Sequence, residues 1–202
     1  SIVWVEPSRR HGTIYGMMTP RIQLRDELQS AASDLLARID GAVAQADWAC
    51  FTDLIDMVLG ARRTFVSGAG RSGLVARMFG MRLMHAGITA HIPGETITPA
   101  ATEGDLLVAI SCTGETGFTD YLAGRAKELG AKVCVITTEP NSALGKIADH
   151  VVTIPVAADD IVLRAAVFEH TAIVCLDAVF NILSERFHVD NTIFRSRHAN
   201  LE

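Results

Sequence analysis

Several features are missing from this sequence, and each absence narrows the reading. No block of lysine or arginine occurs, and 18 basic residues against 23 acidic ones leave a net charge of −5. That argues against an extended nucleic-acid surface and leaves room only for a local basic pocket. No unbroken apolar run has the length of a membrane span, and the N-terminus carries no signal-peptide pattern, so a cytoplasmic protein without membrane attachment is expected. The four cysteines, Cys50, Cys112, Cys134 and Cys175, form no C-x-x-C pair and stand mostly among apolar residues. They read as reduced thiols, with Cys112 close to a site. His11, His85, His91, His150, His170 and His188 lack metal-ligand spacing, so no metal is expected. There is no repeat, low-complexity tract or linker.

What is present is an ordinary globular composition, 49% apolar and 20% charged over 202 residues, enough for one domain with a real core. Residues 1–18 read as an N-terminal extension and 19–202 as the domain. Thr19-Pro20 is a helix start, with Ile22, Leu28, Leu35, Leu36 and Ile39 at near-helical spacing. A second helix runs from the cap Asp47 to Gly60. From Thr64 onward strand and helix alternate. Strands are expected at 64–67, 89–92, 106–110, 132–137 and 151–154, and helices at 72–86, 117–129, 142–148 and 162–187. This predicts an α/β fold, a doubly wound, five-stranded parallel sheet of flavodoxin-like order with helices on both faces. The last helix is apolar over more than one face and is expected to be buried, against a second subunit.

Two loops carry the chemistry. Val66-Ser67-Gly68-Ala69-Gly70-Arg71-Ser72-Gly73 and Ser111-Cys112-Thr113-Gly114-Glu115-Thr116 each follow an apolar strand and open a helix. A helix start offers unpaired N–H groups and a positive dipole end, glycines admit close backbone approach, and hydroxyls add uncharged donors. Together they suit a small phosphorylated ligand. Gly68, Gly70 and Gly73 also spell G-x-G-x-x-G, with Glu95 at the distance of a ribose-binding acid, so a nicotinamide-dependent enzyme is an alternative. Against it, Ser111, Thr113 and Thr116 place hydroxyls where a single phosphate would sit.

Gly68-Ala69-Gly70-Arg71-Ser72-Gly73, Met81-Arg82-Leu83-Met84-His85-Ala86-Gly87, Gly94-Glu95-Thr96, Gly104-Asp105-Leu106-Leu107 and the closing Arg197-His198-Ala199-Asn200-Leu201-Glu202 resemble the sugar isomerase (SIS) domain, and within it the 6-phospho-3-hexuloisomerases. The resemblance covers about residues 22 to 202. It implies interconversion of D-arabino-3-hexulose 6-phosphate and fructose 6-phosphate through an enediolate, with no cofactor, in a homotetramer. It further implies that Ser111, Thr113 and Thr116, with the backbone of Cys112, Gly114 and Glu115, bind the phosphate. Gly68, Gly70, Arg71 and Ser72 would line the opposite wall, and Glu95 and Thr96 would face the sugar. Glu169 would be the catalytic base, and His198 would be a second catalytic group that moves a proton between oxygens.

The chain departs from the family pattern twice. Ser111-Cys112-Thr113-Gly114 stands where the family usually has Ser-Gly-Ser-Gly. Leu163-Arg164-Ala165-Ala166-Val167 stands where a Met-Gly-Thr turn usually precedes the glutamate. Isomerisation of a different sugar phosphate, and a non-catalytic phosphosugar-binding module, therefore remain open at this point.

Overall fold

Short runs of valine, isoleucine and leucine, bounded by turn residues, form five parallel strands, because a crossover connection, helical in three cases and a loop in the fourth, returns the chain each time to start the next strand in the same direction. The computed structural model describes residues 21–201. The chain divides into two compact units at Leu35/Leu36. In the first, the described residues 21–35 are helical, and Ile22, Leu24 and Leu28 are exposed. The helix start at Thr19-Pro20 and the extension 1–18 lie outside the described residues.

The elements are α1 (Arg21–Ala44), α2 (Trp48–Gly60), β1 (Thr64–Gly68), α3 (Gly70–Ala86), β2 (Ala90–His91), β3 (Leu106–Ile110), α4 (Gly117–Glu128), β4 (Lys132–Thr137), α5 (Ala143–Ile147), β5 (His150–Thr153), α6 (Ile161–Arg186) and α7 (Asn191–Arg197). The sheet order is β2-β1-β3-β4-β5, the expected doubly wound arrangement, whose winding reverses between β1 and β3. The short helix α7 is new: Asp190 caps it through Thr192 and Ile193 N–H, a signal that an otherwise polar tail obscured.

Strand alternation sorts the core into two layers. Val66, Val108, Ile110, Cys134, Ile136 and Val152 face α2, α3 and α6, where Phe51, Phe79, Phe168 and Leu183 fill the space. Phe65, Leu107, Ala109, Val133 and Val135 face the other way, against Ala123, Ala126 and Leu144. The helix α6 is long and apolar enough to cross a membrane by composition alone. Phe168, Cys175, Leu176, Val179 and Leu183 are nevertheless buried within its own chain, so it is the core helix of this fold. Away from this core face Ile161, Val162, Val174 and Ile182 stay exposed among its large apolar residues. Arg82 of α3 fixes its position by an ion pair to Asp177 at 2.9 Å and by lying over the Phe180 ring.

At the opposite sheet edge Asp105 is buried at the start of β3. Burial alone would raise its pKa. Hydrogen bonds from Arg63, from the Thr102 N–H and from Arg62 outweigh that and hold it at about 2. A carboxyl held below its ordinary value of 3.8 stabilises the fold above that pH and loses the contribution as pH falls towards 2. Asp105→Asn is therefore expected to cost about 2 kcal/mol in urea unfolding at neutral pH, with the gap to wild type closing as pH approaches 2.

Candidate active site

Pairing between β1 and β3 sets Gly68 opposite Ile110, so the loops that follow these strands lie side by side at the carboxyl edge of the sheet. The approach is close. A Cβ on Gly68 would lie 2.8 Å from the Ile110 carbonyl oxygen and from the backbone of Ser72, and one on Gly73 would lie 2.7 Å from the Gly68 oxygen. Glycine at both positions lets α3 begin directly against the second loop. Gly70, at φ +56°, turns the first loop into the helix, which starts two residues earlier than its sequence pattern suggests.

In the second loop Ser111 is buried. Its Oγ lies 3.2 Å from Thr116 Oγ1 and accepts the Gly114 N–H at 3.1 Å. Thr113 Oγ1 accepts the Glu115 N–H. Gly114 has φ +63° and packs against Ser142. The Cys112 carbonyl is held by Thr138 N–H and by the Thr137 and Thr138 hydroxyls. Burial pushes the Cys112 thiol up, against the opposing pull of Thr138 and Arg164, so Cys112 stays a protonated packing group.

The two loop helices share a feature. Six helices have an N-cap among the described residues. Asp47, Ser142, Asp160 and Asp190 cap α2, α5, α6 and α7 with side-chain oxygens. Ala69 and Thr116, the caps of α3 and α4, make no such bond. The first-turn N–H groups of these two helices are thus left for another acceptor, and both helices start at the crevice.

Glu169 projects from α6 to this crevice. It is 5% exposed, and its Oε2 accepts a hydrogen bond from Arg71 Nε. Arg71 of the first loop is thus paired with Glu169, whose charge also reaches the Cys112 thiol in the second loop. Glu115 contributes only backbone here, because its carboxylate caps α5 through the Ala143 N–H.

Three expected residues are elsewhere. Glu95 pairs with Arg77 of α3 at 2.6 Å, and Thr96 is exposed in the same turn. Glu95 lines a cavity of about 260 Å³ among Phe65, Pro99, Leu107 and Leu122 on the α4 face of the sheet, which neither loop borders. Among the described residues the hydroxyls and the uncapped helix starts gather at the crevice and not at that cavity. Glu95 has a cationic partner of its own, and nothing in its surroundings forms a ribose site. His198 caps the C-terminus of α7 and stacks on His85, ring centroids 5.3 Å apart. His85 lies near the C-terminal end of α3, roughly 22 Å along the helix from Gly70 at 1.5 Å per residue, so His198 does not meet Glu169 within one chain.

The docking of α7 explains that placement. Arg197 donates to the His85 carbonyl and packs on Gly87, which ends α3 at φ +88°, a cation at a helix C-terminus. Phe194 lies 4.4 Å from the His85 ring.

An open α/β sheet with a hydroxyl-rich crevice at its winding reversal, two uncapped helix starts and a carboxylate among them is a doubly wound α/β protein whose crevice suits a small anion. Comparison narrows the class. The SIS domain family matches residues 57–180. The 3-hexulose-6-phosphate isomerase of Bacillus subtilis is 40% identical over 157 residues, 74% of this chain and 85% of the relative. That of Mycobacterium gastri is 38% identical over 184 residues, 88% and 92% of the two chains. A hypothetical protein of Methanococcus jannaschii, whose crystal structure was taken to infer a 3-hexulose-6-phosphate isomerase function, superposes with TM-score 0.76 at 30% identity over 83% of this chain and 98% of that one. The chain belongs to the SIS domain family.

His85 supplies a pH test of the α7 dock. Burial, then the charges of His198 and Arg82, lower its pKa below the ordinary 6.5, and its Nδ1 has no partner. A histidine kept neutral by the fold stabilises it above pH 6.5 and loses that contribution as pH falls below. Thermal unfolding of wild type is expected to fall more steeply from about pH 7.5 to 5.5 than that of His85→Phe, which keeps a ring but cannot titrate.

Proposed function

We propose that this protein is a ketose phosphate isomerase that interconverts D-arabino-3-hexulose 6-phosphate and fructose 6-phosphate. The observation that carries the reading is the convergence of two uncapped helix starts with the Arg71–Glu169 pair at one crevice; relatives at about 40% identity named for this reaction support it.

The reaction moves a carbonyl from C3 to C2. Glu169 removes the proton on C2, and the C2–H electron pair becomes the C2=C3 double bond while the C3 carbonyl oxygen takes the negative charge. Transfer of the C2 hydroxyl proton to the C3 oxygen, and return of the proton from Glu169 to C3, leaves the carbonyl at C2 and a hydroxyl at C3. Arg71 orients the Glu169 carboxylate, and its remaining N–H groups are donors for the developing oxyanion. The Ser111–Thr116 loop and the starts of α3 and α4 hold the phosphate and so fix the sugar against the base. No step calls for a cofactor or metal. His198 is not part of its own chain's crevice, so on this reading any catalytic contact it makes is with a second copy.

Self-association belongs to the same reading. Leu74, Met78 and Met81 are exposed along one face of α3 at i, i+4, i+7 spacing, which supports a homo-oligomer and the expected tetramer. Light scattering after size exclusion is expected to give four chains, and Met78→Glu smaller species.

Turnover of D-arabino-3-hexulose 6-phosphate, read as fructose 6-phosphate by coupled enzymes, tests the reaction. Glu169→Gln is expected to lower kcat by about 10²- to 10⁴-fold while calorimetric binding of inorganic phosphate stays within about threefold. A variant that turns over normally would remove Glu169 as the base.

A further inference from the structure

Arg164 is the residue at this crevice whose bonding is least complete. It lies in the first turn of α6, where its Nη1 donates to Glu139 Oε1 at 3.0 Å and its Nε is buried without a partner. Glu139 is tied to the phosphate loop at short range. Its N–H donates to Thr137 Oγ1, whose own hydroxyl, with that of Thr138, holds the Cys112 carbonyl. The Arg164 charge reaches the Cys112 thiol inside the loop.

A phosphate dianion entering Ser111–Thr116 meets hydroxyls and backbone N–H groups but no cation belonging to the loop. Two guanidiniums are near, and their present partners decide which can move. Arg71 is bound to Glu169, whose side chain is 7% exposed; leaving it would strand a buried carboxylate without compensation, a costly step. Arg164 is bound to Glu139, whose side chain is 53% exposed, so that carboxylate hydrates once released. A dianion also offers a guanidinium fork two oxygens at once, and would give the orphaned Nε an acceptor.

We propose that Arg164 is the mobile phosphate-binding cation of this site, exchanging Glu139 for the phosphate of the ligand while Arg71 stays with Glu169. The assignment rests on Ser111–Thr116 being the phosphate loop, as read above. By meeting the dianion, Arg164 sets this chain's preference for phosphorylated over neutral sugars.

Calorimetry with inorganic phosphate and with fructose 6-phosphate tests this without requiring turnover. Arg164→Met is expected to weaken both by about 10- to 100-fold with the unfolding temperature unchanged. Arg164→Lys, which keeps charge without the fork, should lose less. Glu139→Gln should tighten binding several-fold, because the competing carboxylate is gone, and should have no such effect in the Arg164→Met background. Arg71→Met should lower turnover while leaving phosphate affinity within about threefold. Unchanged phosphate affinity in a folded Arg164→Met protein would overturn the assignment, as would a wild-type protein that binds no phosphate. Phosphate binding that depends on Arg164, in a protein that does not convert the hexulose phosphate, would sustain it and remove the isomerase reading instead.

Discussion

The parallel pairing that sets Gly68 against Ile110 is the constraint on which the site depends. One strand pair brings two separate loops to adjacent positions at the carboxyl edge of the sheet. The absence of side chains at Gly68 and Gly73 lets backbone meet backbone there, so that α3 and α4 both start at one crevice. A methyl group at either position would push the helix away from the second loop and separate the two sets of N–H groups. Neither helix is capped by its own side chain, whereas the four other helices with described caps are. The fold thus leaves backbone donors without a side-chain cap where a ligand can complete them, and caps them locally at the four other helix starts with described caps.

The packing layers serve that arrangement. The α2, α3 and α6 face is built from large side chains and holds α6 against α3, helped by the Arg82–Asp177 pair and the Phe180 ring. That contact delivers Glu169 to Arg71. The opposite face, lined largely by alanine and valine, carries only α4 and α5. Beside α4 the turn 93–101 closes over β1, leaving a largely apolar cavity lined by Phe65, Pro99, Leu107 and Leu122. The polar groups of the domain gather at the strand ends and not in that apolar hollow.

Charge at the crevice is organised in pairs that differ in cost. Arg71 and Glu169 are held together by the burial of the carboxylate. Arg164 and Glu139 pair next to the same loop, but with an acid that water can take over. The first pair suits a fixed positioning role and the second an exchange of partners. The distinction follows from exposure, not from residue type, because both pairs consist of an arginine and a glutamate.

Much of this was legible in the sequence. The run of strands and the order of the sheet followed from alternation, because buried parallel strands read as short apolar runs whatever their neighbours. The caps Asp47 and Gly87 marked helix ends because their chemistry is local. The two loops were readable for the same reason: glycine and hydroxyl residues between a strand and a helix act within a few residues of one another. Other features depended on distant partners and only the tertiary structure decided them. Glu95, at the spacing of a ribose acid, went to Arg77. His198, in a tail motif, was drawn by α7 to His85 at the far end of α3. α6 found its cover on its own sheet. The readiness of Arg164 to move could not be read from a segment that merely looked irregular, because it is set by how exposed Glu139 is, a property of the folded surface. Sequence pattern determined which backbone groups would be available; which charged side chains meet them was left to packing between elements far apart in the chain.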